Sequence, residues 1–156
     1  MKIVKIVSGG QTGADRAAFD FALANGIEIG GFVPKGRLAE DCPIPVRYVN
    51  LKETATANYS ERTELNVVNS DATLIFSDKH ISGGSLLTRR FAELYGKPFM
   101  VVDPDENHHS SVEVIRNWLE RENCRILNIA GARESEYRGI YALTTGFLVL
   151  LFKDAF

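Results

Sequence analysis

The sequence predicts an α/β fold: three layers, doubly wound, around a mainly parallel sheet. Short apolar runs alternate along the chain with stretches of helical periodicity. The runs are continuous rather than alternating in polarity, as expected of strands covered on both faces. With 156 residues, the chain is expected to form one domain, residues 1–156, with no internal repeat.

The elements follow in order. Val4, Ile6 and Val7 belong to a buried strand ended by Ser8-Gly9-Gly10. From Ala14 to Asn25 the apolar residues Ala14, Ala17, Ala18, Phe21 and Ala22 recur at helical spacing, and Asn25-Gly26 stops the helix. Ile27–Val33 is a short strand broken by Pro34-Lys35-Gly36. Residues 36–58 read as an irregular connection in which Pro43 and Pro45 block a helix. Connections of that length are often functional.

Ser60-Glu61-Arg62-Thr63 opens a helix through Val68, closed by Ser70-Asp71. Ala72–Phe76 is a strand, Ser77–Ser85 a polar loop, and Leu86–Tyr95 a helix stopped by Gly96 with Pro98 beyond. Phe99–Val102 is a strand ended by Asp103-Pro104, and Val112–Arg121 an amphipathic helix. Arg125–Ile129 is the last strand. A final helix starts at Ser135 or Tyr141 and runs to about Phe152.

Composition narrows the function. Hydrophobic residues are 45%, charged residues 24% and the net charge is -2, so the broad basic face of a nucleic-acid binder is not expected. A local basic pocket remains compatible with that balance. Cys42 and Cys124 form no Cys-x-x-Cys pair, which disfavours zinc and favours free thiols. The apolar start is too short for a secretory leader, and Gly146–Phe152 is too short to span a membrane. The expected location is the cytoplasm. The all-round apolar character of Phe147–Phe152 points to deep burial or to a homo-oligomer interface.

Ligands of such sheets bind beyond the carboxyl ends of the strands, where strand order reverses. Three strand-to-helix turns are unusual there. In Ser8-Gly9-Gly10-Gln11-Thr12-Gly13 the glycines permit positive φ and close backbone approach. The free amides and dipole of the following helix suit an anion. Asp15 suits the same dipole and is placed to order the loop, while Arg16 points at an anion or at solvent. The turn is neither G-x-G-x-x-G nor a Walker loop, which disfavours a conventional dinucleotide or triphosphate. In Ser82-Gly83-Gly84-Ser85 the glycines let backbone close on a ligand, Ser85 is placed to cap the helix, and Thr88 and Arg89 follow one turn in. In Gly131-Ala132-Arg133-Glu134-Ser135, Arg133 can fork onto phosphate or pair with Glu134 or Glu136, and Ser135 can cap.

Together the three turns imply a pocket for a polyoxyanionic ligand, held by amides and hydroxyls. Arg62 and Asn66, on one face of their helix, reach that pocket or face solvent. Catalytic signals are weak. There is no Gly-x-Ser-x-Gly elbow, and the candidate bases Asp15, Asp78 and Glu134 lack the spacing of paired-carboxylate chemistry. Only His80 lies near a turn, and His108-His109 reads as surface decoration rather than a metal site. The expectation is a binding protein without a catalytic set.

GGQTGADRAA, Val33-Pro34-Lys35-Gly36, YSERTELNVVNSDATLIFS, SGGSLLT and NIAGARES together resemble the molybdenum cofactor (Moco) carrier protein family. That family lies within a Rossmann-like superfamily that includes the lysine-decarboxylase-like phosphoribohydrolases. The resemblance runs from Lys2 to about Phe147. It implies a single Rossmann-like domain, commonly a homo-oligomer, that binds the molybdenum cofactor: a phosphate-bearing pterin with a dithiolene-held oxo-metal. Molybdoenzymes are the implied recipients.

Carried over by motif, the cofactor-binding residues are Gly9, Gly10, Gln11, Thr12, Gly13, Ser82, Gly83, Gly84, Ser85, Arg133 and Ser135, with Arg16 beside them. The phosphoribohydrolases show Pro-Gly-Gly-x-Gly-Thr followed by a catalytic Glu. Ser82–Thr88 here lacks the Pro, the third Gly and the acid, with Glu93 only further along. That departure argues against nucleotide hydrolysis. The alternative kept beside the carrier is a nucleotide-binding sensor, or a nucleotide or phosphoribosyl hydrolase, of the same superfamily.

Overall fold

The computed structural model describes residues 2–106 and 108–153. Among the described residues six strands form one all-parallel sheet: β1 (Lys5–Val7), β2 (Glu28–Val33), β3 (Leu51–Glu53), β4 (Ala72–Phe76), β5 (Phe99–Val102) and β6 (Ile126–Gly131). The helices described are α1 (Ala14–Ala24), α2 (Tyr59–Val68), α3 (Gly83–Leu94), α4 (His108–Arg121) and α5 (Ile140–Leu151). The predicted α/β, doubly wound arrangement is what the chain adopts.

Strand order is β3-β2-β1-β6-β4-β5. One half winds outward from β1 through α1 to β2 and β3. The other winds outward from β4 through α3 to β5. The last strand, β6, returns to the gap between β1 and β4. The reversal of strand order therefore falls at β1, β6 and β4, which are the strands that feed the three unusual turns.

Helices α1 and α5 pack together, with α4 against α5, while α2 and α3 pack together against β2 and β4. All five residues of β4 are buried, and Phe76 meets Phe147 edge-on with centroids 5.5 Å apart. Phe147, Leu148, Leu151 and Phe152 are buried within the chain, so most of the apolar C-terminal run is explained by burial; Val149 stays 55% exposed. Among the described residues no helix is long and apolar enough to cross a membrane. Both cysteines are free thiols, and burial pushes the Cys124 thiol up to about 12.

Several boundaries differ from expectation. The connection over 36–58 contains a strand, β3, three residues long with two of them exposed, too short and too polar to announce itself. Helix α2 starts one residue earlier, after Asn58, whose Oδ1 accepts from the Ser60 amide at 3.0 Å. Helix α3 starts at Gly83, so the cap position falls on Ser82, and Ser85, expected there, is buried inside the first turn. Gly83, with φ of +52, opens the helix earlier than its apolar periodicity does. Ser135 does not cap α5. That helix starts at Ile140, and the Glu134 carboxylate accepts from the amides of Gly139 at 2.6 Å and Tyr141 at 3.0 Å. His108 and His109 open α4 rather than lying in a loop, and their side chains are outside the described residues.

Candidate functional site

The three turns meet α2 around a small cavity of about 40 Å³. The first turn contributes Gln11 and Asp15, α2 contributes Tyr59, Arg62 and Thr63, α3 contributes Gly84 and Thr88, and the end of β6 contributes Gly131 and Arg133. A single water needs only about 10–15 Å³ of such space, so the cavity has room for one tetrahedral oxyanion and not for a ring system.

Two of its donors are unused. Arg62 donates from Nη1 to Thr63 Oγ1 at 2.9 Å, while its Nε is buried with no hydrogen-bond partner. Although Arg62 as a residue is only partly buried, its head group is enclosed, and that enclosure lowers its basicity against the opposing pull of Asp15. Gln11 Nε2 is likewise buried and unpartnered. Leaving a buried polar group unpaired costs about 1–3 kcal/mol, so two around one cavity mark a place where a ligand supplies the missing acceptors.

Asp15 sits 3% exposed on the same wall. Its Oδ2 accepts from the Gln11 amide at 3.1 Å, so it does order the first turn. Burial raises its carboxyl above the ordinary range, and Arg62, the Gln11 amide, Ser8 and Arg16 pull the other way. Arg133 and Arg62 both lie against the Tyr59 ring, at 5.0 and 5.6 Å from its centroid. Arg133 also pairs with Glu136 at 3.6 Å. It is therefore both the cavity cation and the ion-pair partner that the sequence allowed.

The glycine turn works differently from a phosphate-cradling loop. The Gln11 amide is spent on Asp15, the Thr12 amide on Gln11 Oε1 at 3.0 Å, and the Ala14 amide on the Ala132 carbonyl at 3.3 Å. The buried unpartnered donors of the cavity are on side chains. Gly13, at φ +81, holds the first turn against the third, because a Cβ there would strike the Ala132 carbonyl. Gly10 packs under Ile44.

The other predicted residues divide between the cavity and its rim. Ser82 and Gly83 are exposed beside it, and Ser85 is buried behind it. Thr12 and Ser135 do not line the cavity: they donate their hydroxyls to Glu40. Arg16 turns away: it forks onto Asp41 at 2.6 and 2.8 Å and lines an open groove of about 450 Å³ on the other side of the turn. In that groove Asp20 accepts from Tyr48 at 2.8 Å and Tyr141 at 2.7 Å; burial, then this bond, pushes Tyr48 up to about 12, and the bond, then burial, pushes Tyr141 up to about 12.

Of the candidate bases only Asp15 faces the cavity. Asp78 accepts from the His80 amide at 2.8 Å, and Glu134 caps α5. Asn66 braces the sheet: its Oδ1 accepts from the Phe32 amide at 2.7 Å and its Nδ2 donates to the Phe32 carbonyl at 2.9 Å. Sequence reasoning left Arg62 open and did not single out Tyr59 or Glu40. The only usable signal for Arg62 was its place on the same helical face as Asn66. Among the described residues no cluster of three or more His, Cys, Asp or Glu side chains is placed to hold a metal ion.

A family model described as the circularly permutated YpsA SLOG family matches residues 6–152, nearly the whole chain. The chain belongs to that family. A solved structure from Syntrophus aciditrophicus described as a "putative molybdenum carrier protein" is 47% identical, matches over 96% of this chain and 94% of its own, and superposes with a TM-score of 0.92. The similarity noted on GGQTGADRAA and the other motifs is thus shared along the full SLOG domain. No curated protein matches the chain.

Proposed function

We propose that this SLOG-family protein binds and carries molybdenum cofactor, holding it at the meeting point of the three turns and α2. The observation that carries the reading is the pair of buried, unpartnered donors, Arg62 Nε and Gln11 Nε2, on one cavity of oxyanion size. The donor set fits an anionic end group, and the about 40 Å³ available leaves the pterin outside, over Ser82, Gly83 and Gly84. The name given to the 47% identical neighbour supports the same cargo. Gly9, Gly10 and Gly13 shape the wall, Gln11 and Arg133 contact the ligand, and Arg62 joins them as the principal cation. The working form is a cytoplasmic homo-oligomer that passes its cargo to molybdoenzymes.

The test is retention. Protein mixed with molybdenum cofactor and desalted should hold near-stoichiometric molybdenum and slow the oxidation of the pterin. Arg62→Met should lose both properties. Molybdenum at background level with folded wild-type protein would refute the reading.

A second reading rests on Asp15 and Tyr59. A buried carboxyl with raised proton affinity beside an aromatic ring also suits a nucleotide or phosphoribosyl ligand, as sensor or hydrolase substrate. Turnover of nucleoside monophosphates that disappears in Asp15→Asn would favour a hydrolase. A thermal shift without turnover would favour a sensor.

A further inference from the structure

The connection between β2 and β3 is tied to the first and third turns by one side chain. The Glu40 carboxylate accepts from the hydroxyls of Thr12 and Ser135 and from the Ser135 amide at 3.4 Å. These donors, with the positive Arg133 nearby, hold its carboxyl below the usual range. The Glu40 amide donates to Gln11 Oε1 at 2.9 Å. Asp41 beside it receives the Arg16 fork, and Ile44 packs on Gly10.

Two hydroxyls, an amide and a nearby guanidinium form a donor ring drawn from the first and third turns. It is the donor set a phosphate or molybdate oxygen takes. Glu40 is itself exposed, so burial does not force a carboxylate onto these hydroxyls; water would satisfy them equally. What is unusual is one carboxylate gathering all three donors.

We infer that Thr12 and Ser135, with the positive Arg133 nearby, form a second oxyanion subsite between the first and third turns, occupied by the Glu40 carboxylate as an intramolecular stand-in. The ligand is then one with two anionic groups, whose outer group displaces Glu40. This rests on the anion-binding reading of the inner cavity.

The two subsites share residues. Arg133 lines the inner cavity and acts on Glu40. Gln11 holds the strap through Oε1 while its Nε2 stays free in the cavity wall. A ligand with one anionic group fills the inner cavity and leaves the strap closed. A two-ended ligand must compete with Glu40, so its apparent affinity falls by the fraction of chains with the strap closed. Removing the carboxylate lifts that competition.

Molybdate and orthophosphate titrated by calorimetry test this. Wild type should take one oxyanion per chain. Glu40→Ala and Glu40→Gln should each take a second, with at least about tenfold gain at that site. Adding Ser135→Ala should abolish the gain, and adding Arg62→Met to a Glu40 variant should abolish the first site only. Thermal melts establish that each variant is folded, and either Glu40 variant decides the matter if the other does not fold. Glu40 variants that melt normally and bind no more oxyanion than wild type overturn the inference, leaving Glu40 as a tether. If no form binds oxyanion but molybdenum cofactor is retained, the subsite falls and the carrier reading stands. If the oxyanion counts follow expectation but the cofactor is not retained, the carrier reading falls and the subsite stands.

Discussion

A Cβ placed on Gly9 would lie 2.7 Å from Cζ and Nη1 of Arg62, so the first turn and α2 meet where only glycine leaves room for the guanidinium. Real Cβ contacts are not that close, and the flexible end of Arg62 is what has to move. Gly9→Ala should therefore push the guanidinium off the cavity wall while the fold persists. Molybdate affinity should fall by about tenfold, equivalent to about 1.4 kcal/mol. Calorimetric titration, with a melt to show the fold intact, measures it. Unchanged affinity would show that Arg62 reaches the anion from elsewhere.

Removing the guanidinium itself separates binding from stability. Arg62→Met deletes a buried, under-bonded cation and keeps most of its volume. Because the group costs free energy to bury but also offsets the buried Asp15 charge, the thermal midpoint should hold at acidic pH, where Asp15 is protonated, and fall as Asp15 ionises at higher pH. Anion affinity should fall about 10- to 100-fold, as a charge-assisted bond is worth about 1.5–3 kcal/mol. A large loss of stability with unchanged binding would make Arg62 a structural residue.

The fold was legible because its strands are buried on both faces. Continuous runs such as Ala72–Phe76 cannot satisfy an exposed sheet, and the glycine-marked turns fall at the carboxyl ends of β1, β4 and β6. The turns that matter were legible for the same reason. What could not be read was which donors remain free. The backbone amides of Gln11, Thr12 and Ala14 seemed available, but Asp15, Gln11 and Ala132 consume them. Those partners are short-range and long-range contacts that composition does not encode. Arg62 comes from a helix beyond β3, marked only by the face it shares with Asn66, and Glu40 from a proline-containing connection without periodicity, which carried no local signal. Edge strand β3 escaped because Leu51–Glu53 is mostly exposed.

Asn66 supports a prediction about stability alone. Its side-chain amide makes both bonds of a neighbouring strand peptide to Phe32, where β1 has already turned away into Ser8 and Gly9. Asn66→Ala strands a backbone amide and a carbonyl of β2. With about 1–3 kcal/mol per stranded group, a loss of about 2–6 kcal/mol is expected by urea denaturation. Oxyanion affinity in the remaining folded fraction should stay within about twofold, since Asn66 does not line the cavity. A loss below about 0.5 kcal/mol would mean that water replaces the amide.

Asp15 gives the site a pH dependence of definite sign. Its folded carboxyl is raised above 3.8 because burial disfavours the charged form more than Arg62 and the Gln11 amide favour it. Below about pH 3.8 the group is protonated in both folded and unfolded chains and has no linkage effect. As pH rises from there through the folded pKa, the unfolded chain ionises first, so the stability that the protonated form allows is progressively lost. Above the folded pKa the loss is complete and constant. Asp15→Asn removes this term while its Oδ1 can still accept from the Gln11 amide. The stability of the variant relative to wild type should therefore improve as pH rises from about 4, and then level off. Anion affinity should follow the same group: it weakens in wild type as Asp15 ionises beside the ligand, and it flattens in Asp15→Asn over the same window. Denaturation and calorimetric titrations of both proteins at a series of pH values measure the two effects. A variant-minus-wild-type difference that stays flat with pH would place the Asp15 carboxyl at its ordinary value and remove it as the titrating group of the site.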